Sequence, residues 1–311
     1  MKRYLLSAVA MLLFIMGASA HNPKAWRKLR QDINIFWASD LDRGGCYDQQ
    51  VIANLMGEMA GKIKPNCIIS TGDTHHGNGV KSVTDDDWQE HFIDMYNHRN
   101  LAKLDWWAIA GNHEYRGNPQ ALIDYSKVNP HWHMPARYYT TVFKKGNATI
   151  RFVMLDTTPL IEKYRKNEKY PDVAMQDKEA QLEWLEKVLS EAKEDWVIVA
   201  GHHPVYAQTK KSEEERNDIK SAINDILRRH NVAMYICGHI HSFQHIRHKG
   251  YDIDYIVNSS ASWSRDVKQT KGTKYCSDEA GFSVITVSKK RLSVHMIDKN
   301  GNILHTVNKT K

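Results

Sequence analysis

Five short segments of the 311-residue chain place a side chain able to bind a metal or a phosphate directly behind an apolar run. In order they are Asp40, Gly72-Asp73-Thr74-His75-His76, Gly111-Asn112-His113-Glu114, Gly201-His202-His203-Pro204 and Gly238-His239-Ile240-His241. Together they offer carboxylate and amide oxygens and imidazole nitrogens, a donor set suited to first-row divalent or trivalent metals. A single Gly-Asn-His or Gly-His-Xaa-His is weak evidence of a site. Five such segments, each at the same place relative to an apolar run, point to one shared centre. One bridging carboxylate would let two cations sit roughly 3.5–4 Å apart, the separation used in two-metal phosphoryl chemistry.

The apolar runs that would position these side chains are Ile33–Ala38, Cys67–Thr71, Trp106–Ala110, Trp196–Ala200 and Val232–Cys237. Each is short, continuous and rich in β-formers with a turn residue behind it, the pattern of a strand buried on both faces. In an open α/β sheet ligands bind outside the carboxyl ends of the parallel strands, so the five segments should meet on one rim.

Helical patterns alternate with these strands at Gln49–Ile63, at about 85–98 behind a Thr84 cap, and from Pro119 to about residue 127. Further patterns are Lys178–Ala192 behind an Asp177 cap and about 215–230. Asp, Thr and proline at these positions are ordinary helix starts. Arg137–Phe143 and Thr149–Leu155 read as an antiparallel pair. The last quarter alternates in short strands at Tyr251–Val257, Gly281–Val287, Leu292–Ile297 and Ile303–Val307. The chain thus begins as βαβα and ends as antiparallel β. The expected class is α/β, a two-sheet α/β sandwich with helices on its outer faces.

Residues 1–20 carry Lys2 and Arg3, an apolar stretch from Tyr4 to Gly17 and then Ala18-Ser19-Ala20, the pattern of a cleaved secretory signal peptide. Residues 21–311 are expected to form one catalytic domain, monomeric and secreted or periplasmic, without a membrane span. The net charge is +7, and without Lys2 and Arg3 forty-one basic residues stand against thirty-six acidic ones, +5. This modest, dispersed excess favours an anionic small molecule over a nucleic acid. Lys163–Lys169 and Lys210–Arg216 mix both signs and read as solvated surface. Of the four cysteines, Cys67 and Cys237 lie in apolar strand patterns and read as core. Cys46 and Cys276 lie in loop-like stretches, where export would permit a bridge.

The five motifs resemble those of the calcineurin-like metallophosphoesterases, and within them the small purple acid phosphatases of the tartrate-resistant type. The likeness extends to Ala121–Lys127, Phe152–Thr157 and Glu194–His202 and covers roughly residues 33–300. It implies that Asp40, bridging Asp73 and His241 bind a first metal, usually ferric iron. Asn112, His202 and His239 would bind a second, usually divalent iron, zinc or manganese. His113 falls where the family places a substrate-binding imidazole that can act as a general acid, and His203 beside His202 is a second candidate for substrate contact. Asp42 is the alternative to Asp40, which follows its strand directly. Two positions depart from the family. His76 stands where it has a tyrosinate, three residues after the bridging aspartate, and is expected to take over that coordination position. The stretch Ala207–Glu215 lacks the second histidine of the animal enzymes.

The implied activity is hydrolysis of phosphate monoesters on a small phosphorylated substrate by a metal-activated water. A phosphodiesterase or nucleotide pyrophosphatase on the same site is one alternative. A secreted protein that binds metal or phosphate without turnover is another, and a positioned acid such as His113 argues against it.

Overall fold

The computed structural model describes residues 23–311; the expected signal peptide lies outside the described residues. After helix α1 (Pro23–Leu29), the strands β1 (Ile33–Ala38), β2 (Cys67–Ser70), β3 (Trp106–Ala108) and β4 (Trp132–His133) run parallel to one another. Helices α2 (Gln49–Ile63) and α3 (Pro119–Tyr125) make two of the crossovers. The hairpin β5 (Tyr139–Lys145) and β6 (Ala148–Met154) starts a second sheet. It continues through α4 (Glu162–Arg165), α5 (Lys178–Ser190), β7 (Trp196–Ala200), α6 (Glu213–Arg229), β8 (Met234–Cys237), β9 (Phe243–Ile246), β10 (Asp254–Val257) and β11 (Thr273–Ser277). The chain then returns to the first sheet with β12 (Gly281–Val287), β13 (Arg291–Asp298) and β14 (Ile303–Thr310).

Both sheets are mixed and seven-stranded, in the orders β14-β13-β12-β1-β2-β3-β4 and β11-β9-β10-β8-β7-β6-β5. The expected α/β sandwich is therefore the observed architecture. Strands β1, β2 and β8 are buried at every residue, which their unbroken apolar sequence requires. Phe36, Trp37, Phe152 and Phe282 are among the largest side chains wholly withdrawn from water. At about 25 cal/mol per Å² of apolar surface, such burial is the main stabilising term.

The helix starts follow their sequence signals. Asn118 caps α3 by accepting from the Gln120 amide, with Pro119 in the first turn, and the Asp177 carboxylate accepts from Ala180 N at 2.9 Å to cap α5.

Several expectations are corrected. The segment expected to be a regular helix at 85–98 is a wide helical turn, Trp88–Ile93, with an i to i+5 hydrogen bond from Asp94 N to Gln89 O. Its aromatic residues win over regular geometry: Trp88 stacks on Tyr125 at 3.6 Å, and Phe92 and Tyr96 pack edge-on to Trp106. Thr84 does not cap it; the Asp85 carboxylate instead accepts from the amides of Lys81 and Asp87. Strands β9 and β11 were not legible in the sequence, and β10 pairs in parallel with β8 instead of joining the C-terminal meander. Cys46 and Cys276 are not bridged: both are free, Cys46 is exposed, and Cys276 lies on strand β11. Among the described residues no helix is long and apolar enough to cross a membrane.

Candidate metal centre

The carboxyl ends of β1, β2, β3, β7 and β8 converge, and the five motifs meet there. Their backbones are bent to do so. Asp40 (φ +53°), Asp73 (φ +52°), His239 (φ +70°) and His241 (φ +61°) all lie in the left-handed region, which costs a non-glycine residue of order 1 kcal/mol. The glycines allow the loops to touch: a Cβ on Gly111 would fall 2.3 Å from Asp73 Oδ1, and one on Gly238 2.6 Å from Asp40 Oδ2.

Potential ligand atoms gather in overlapping groups whose members lie within 4.8 Å of one another. These are Asp40, His76 and His241; Asp73, His76 and His113; Asp40, Asp73 and His202; and His202, His203 and His239. Asp73 joins the two halves. Its Oδ2 lies 3.3 Å from His202 Nε2 and 3.9 Å from His76 Nε2, while its Oδ1 accepts from the His113 amide at 2.9 Å.

Three imidazoles are pinned at one nitrogen, which leaves the other facing the centre. His202 Nδ1 meets Thr71 O at 2.8 Å, His241 Nδ1 meets Trp263 O at 2.9 Å, and His239 Nε2 meets Glu215 Oε2 at 2.9 Å. With Nδ1 taken by Trp263 O, His241 turns Nε2 toward Asp40 Oδ1, 3.1 Å away. Both atoms are buried without a hydrogen-bond partner, as is Asn112 Oδ1. Buried acceptors left facing one another are costly, and a cation between them removes the cost. The donor set and these orphaned atoms fit two metal ions.

Electrostatics agree. Burial alone would raise the pKa of both carboxylates, yet the imidazoles of His241 and His202 hold Asp40, and His202 and His113 hold Asp73, well below the usual carboxylate range. Burial lowers His76 to about 3 despite the opposing charge of Asp73, and it also lowers His239, helped by Lys211. Both are therefore neutral, as a metal-binding imidazole must be. Burial opposes protonation of His202 as well, but Asp73 outweighs it and raises the ring to about 9.

Asp40 faces the centre, whereas Asp42 turns back to Gly44 N (2.7 Å) and His91 (3.2 Å). His113 lies at the mouth, its Nδ1 2.8 Å from Gly77 O and its Nε2 3.9 Å from Asp73. His203 is wholly buried, bonded through Nδ1 to Thr157 Oγ1 and packed on Tyr164 and His239, with its Nε2 left without a partner. His75 is buried edge-on to Trp88.

Sequence reasoning missed several residues of the site. Glu114 accepts from the amides of Asp73, His75 and Gly111 and so ties two metal-site loops together; its place directly after Asn112-His113 was a usable signal. Glu215 is the partner of His239, and Thr157 Oγ1 accepts from the amides of both His202 and His203. Nothing local marks either one. Lys211 corrects the reading of residues 210–216 as solvated surface: its Nζ lies 2.6 Å from His239 O and within about 3.2 Å of both ring nitrogens. Arg43 was also missed. Its guanidinium meets both ring nitrogens of His76, Nη2 at 2.9 Å from Nε2.

Residues 33–243 match the family model described as calcineurin-like phosphoesterase. The chain is 30% identical over 254 residues to tartrate-resistant acid phosphatase type 5 of Homo sapiens, covering 76% of this chain and 77% of that one. Two solved structures share the fold. GAP50, described as the anchor in the inner membrane complex of Plasmodium, has a TM-score of 0.76 at 19% identity, with 89% of this chain and 88% of that one covered. The purple acid phosphatase PPD1 of yellow lupin seeds has a TM-score of 0.64 at 13% identity, with 90% of this chain and 54% of that one covered.

Proposed function

The chain belongs to the calcineurin-like phosphoesterase family, and we propose that it is an exported phosphatase that hydrolyses phosphate monoesters at a pair of metal ions. The observation that carries this reading is the set of buried polar atoms left without partners: Asp40 Oδ1 and His241 Nε2, which face one another in a group overlapping that of Asp40, Asp73 and His202, and Asn112 Oδ1 on the neighbouring loop. Asp40, Asp73, His76 and His241 would hold one metal. Asp73, Asn112, His202 and His239 would hold the other.

Two such ions, when bound, supply positive charge to the phosphoryl oxygens and lower the pKa of an attacking water. The chain's own groups do the rest. Thr71 O, Trp263 O and Glu215 fix the orientation and tautomer of His202, His241 and His239, as outer partners of metal-bound imidazoles do. Asn112 contributes an uncharged oxygen, which preserves the positive charge of the centre. Gly77 O faces Nδ1 of His113, so that when the ring carries its second proton Nε2 is the atom that gives it to the leaving oxygen. His76, neutral where the resembling family has an anionic phenolate, weakens the preference for a trivalent ion and favours two divalent ones. In this reading residues 21–311 form a single monomeric domain.

The test is elemental analysis of the purified protein together with turnover of para-nitrophenyl phosphate and bis-para-nitrophenyl phosphate. Two metals per chain with a clear preference for the monoester support the reading. Preference for the diester makes the protein a phosphodiesterase, and bound metal without turnover of either makes it a binding protein.

A further inference from the structure

Beside the metal centre, loop residues 209–211 and 263–266 enclose a cavity of about 480 Å³. Lys210, Lys211, Trp263 and Arg265 line it, and Ile240, the residue between His239 and His241, forms part of its wall. The cavity is therefore a lateral extension of the metal centre.

Its basic groups outnumber the carboxylate that lines it. Lys211 Nζ reaches the His239 carbonyl at 2.6 Å. Arg43 reaches His76, and its guanidinium lies 5.4 Å from the centroid of Trp263. Arg265 lies 4.9 Å from the same centroid, and its amide donates to His241 O at 2.7 Å. Trp263 thus holds two guanidinium groups, which gain from contact with its ring. Arg265 repels both Arg43 and Lys211, while Asp40 and Asp73 of the centre attract those two. Among the described residues none of the three forms an ion pair with a carboxylate within 4.0 Å, and the Nε of Arg43 is buried without a partner. The one carboxylate lining the cavity, Asp266, is exposed. The repulsion that Arg265 adds to this cluster would be offset by an anion beside its guanidinium.

A phosphate monoester bound at the metals would lie nearest Arg43 and Lys211, which touch residues of the centre. Arg265 touches the centre only through its backbone amide, and its guanidinium lies over Trp263 instead. Guanidinium is shaped to take a phosphate or carboxylate through two parallel hydrogen bonds. We infer that this cavity is a second anion subsite, with Arg265 as its outer recognition group. The favoured substrates are then organic phosphates that carry a second phosphate or carboxylate a few bonds from the scissile one. This assignment rests on the metal-centred phosphatase reading for the position of the first phosphate.

Hydrolysis-resistant ligands separate the two ideas. Calorimetry on the metal-loaded protein would compare propane-1,3-bisphosphonate with propylphosphonate, which differ only in the second anion. The bisphosphonate is expected to bind at least about tenfold tighter, in the range that one charge-assisted contact supplies. Arg265→Gln should remove most of that advantage, and Arg265→Lys should keep part of it. Equal affinity of the two ligands for the parent protein overturns the subsite, as does an advantage that survives intact in a folded Arg265→Gln protein. Should Arg265→Gln fail to fold, the parent comparison and Arg265→Lys still decide. Turnover of para-nitrophenyl phosphate is scored separately: its absence counts against the phosphatase reading, while the ligand comparison still reports on the subsite.

Discussion

His76 stacks on His113 with ring centroids 3.7 Å apart and planes inclined by 29°. One ring belongs to the loop after β2 and the other to the loop after β3, and both point their Nε2 toward Oδ2 of Asp73 at 3.9 Å. The group proposed for the first metal and the group proposed for the leaving oxygen are thus in direct contact, and a change in one is felt by the other.

His76→Tyr is expected to introduce a phenolate on the first metal. Loaded with iron, the variant should gain a visible charge-transfer band that the parent lacks. Absorption spectra of the two proteins at equal iron content check this. A coloured parent, or an iron-loaded variant without a new band, counts against the placement of His76 on the metal.

His113→Ala should retain both metals and lose about 10²–10⁴ in kcat, the range of general acid catalysis. The loss should shrink for good leaving groups such as para-nitrophenolate and be largest for alkyl phosphates. A plot of log kcat against leaving-group pKa for parent and variant measures it; parallel lines would leave His113 as a phosphate ligand only.

Glu215→Gln removes the carboxylate that holds His239. Loss of such an outer partner lowers metal affinity by about 10–100-fold. Competition with a chelator, read as metals retained per chain, should show one weakened site and one unaffected. If both sites weaken equally, the assignment of His239 to a single metal is wrong.

His295 tests acid stability far from the centre. It lies on β13 between Thr306 Oγ1 (2.9 Å) and Thr286 Oγ1 (3.2 Å). Burial lowers it from 6.5 to about 4. Because the folded value is the lower one, the unfolded chain binds the extra proton between pH 6.5 and 4. The neutral ring's contribution is complete above pH 6.5 and is lost as the pH falls to 4, to a total of about 3 kcal/mol. Denaturation midpoints of the parent should fall more steeply over that window than those of His295→Gln. Parallel curves would remove this role.

Much of the fold followed from patterns that burial imposes on sequence. The runs Ile33–Ala38 and Trp196–Ala200 are strands with the same bounds in the structure, and Gln49–Ile63 is a helix with the same bounds. Where the pattern was interrupted, expectation failed. Strand β9 begins two residues after His241 and mixes Gln244 and His245 with its apolar residues, and β11 carries Lys274 and Cys276, so neither shows an apolar run. The turn at Trp88–Ile93 is set by distant aromatic rings rather than by local spacing.

The division at the site has a similar cause. Sequence alone determined which donor types stand behind which strands, because a strand end and its following loop are local features. Together with the resemblance to the metallophosphoesterases, that gave Asp40, Asp73, His76, Asn112, His202, His239 and His241 as the expected ligands. Only the tertiary structure decided which way each ring faces, that Asp42 is turned from the centre, and that Glu114, Glu215, Arg43 and Lys211 join it. Those contacts link residues as far apart as Glu215 and His239, or Arg43 and His76. A charged side chain on a helix or loop looks the same in sequence whether it meets solvent or a buried imidazole, and only the packing of the two sheets separates the cases.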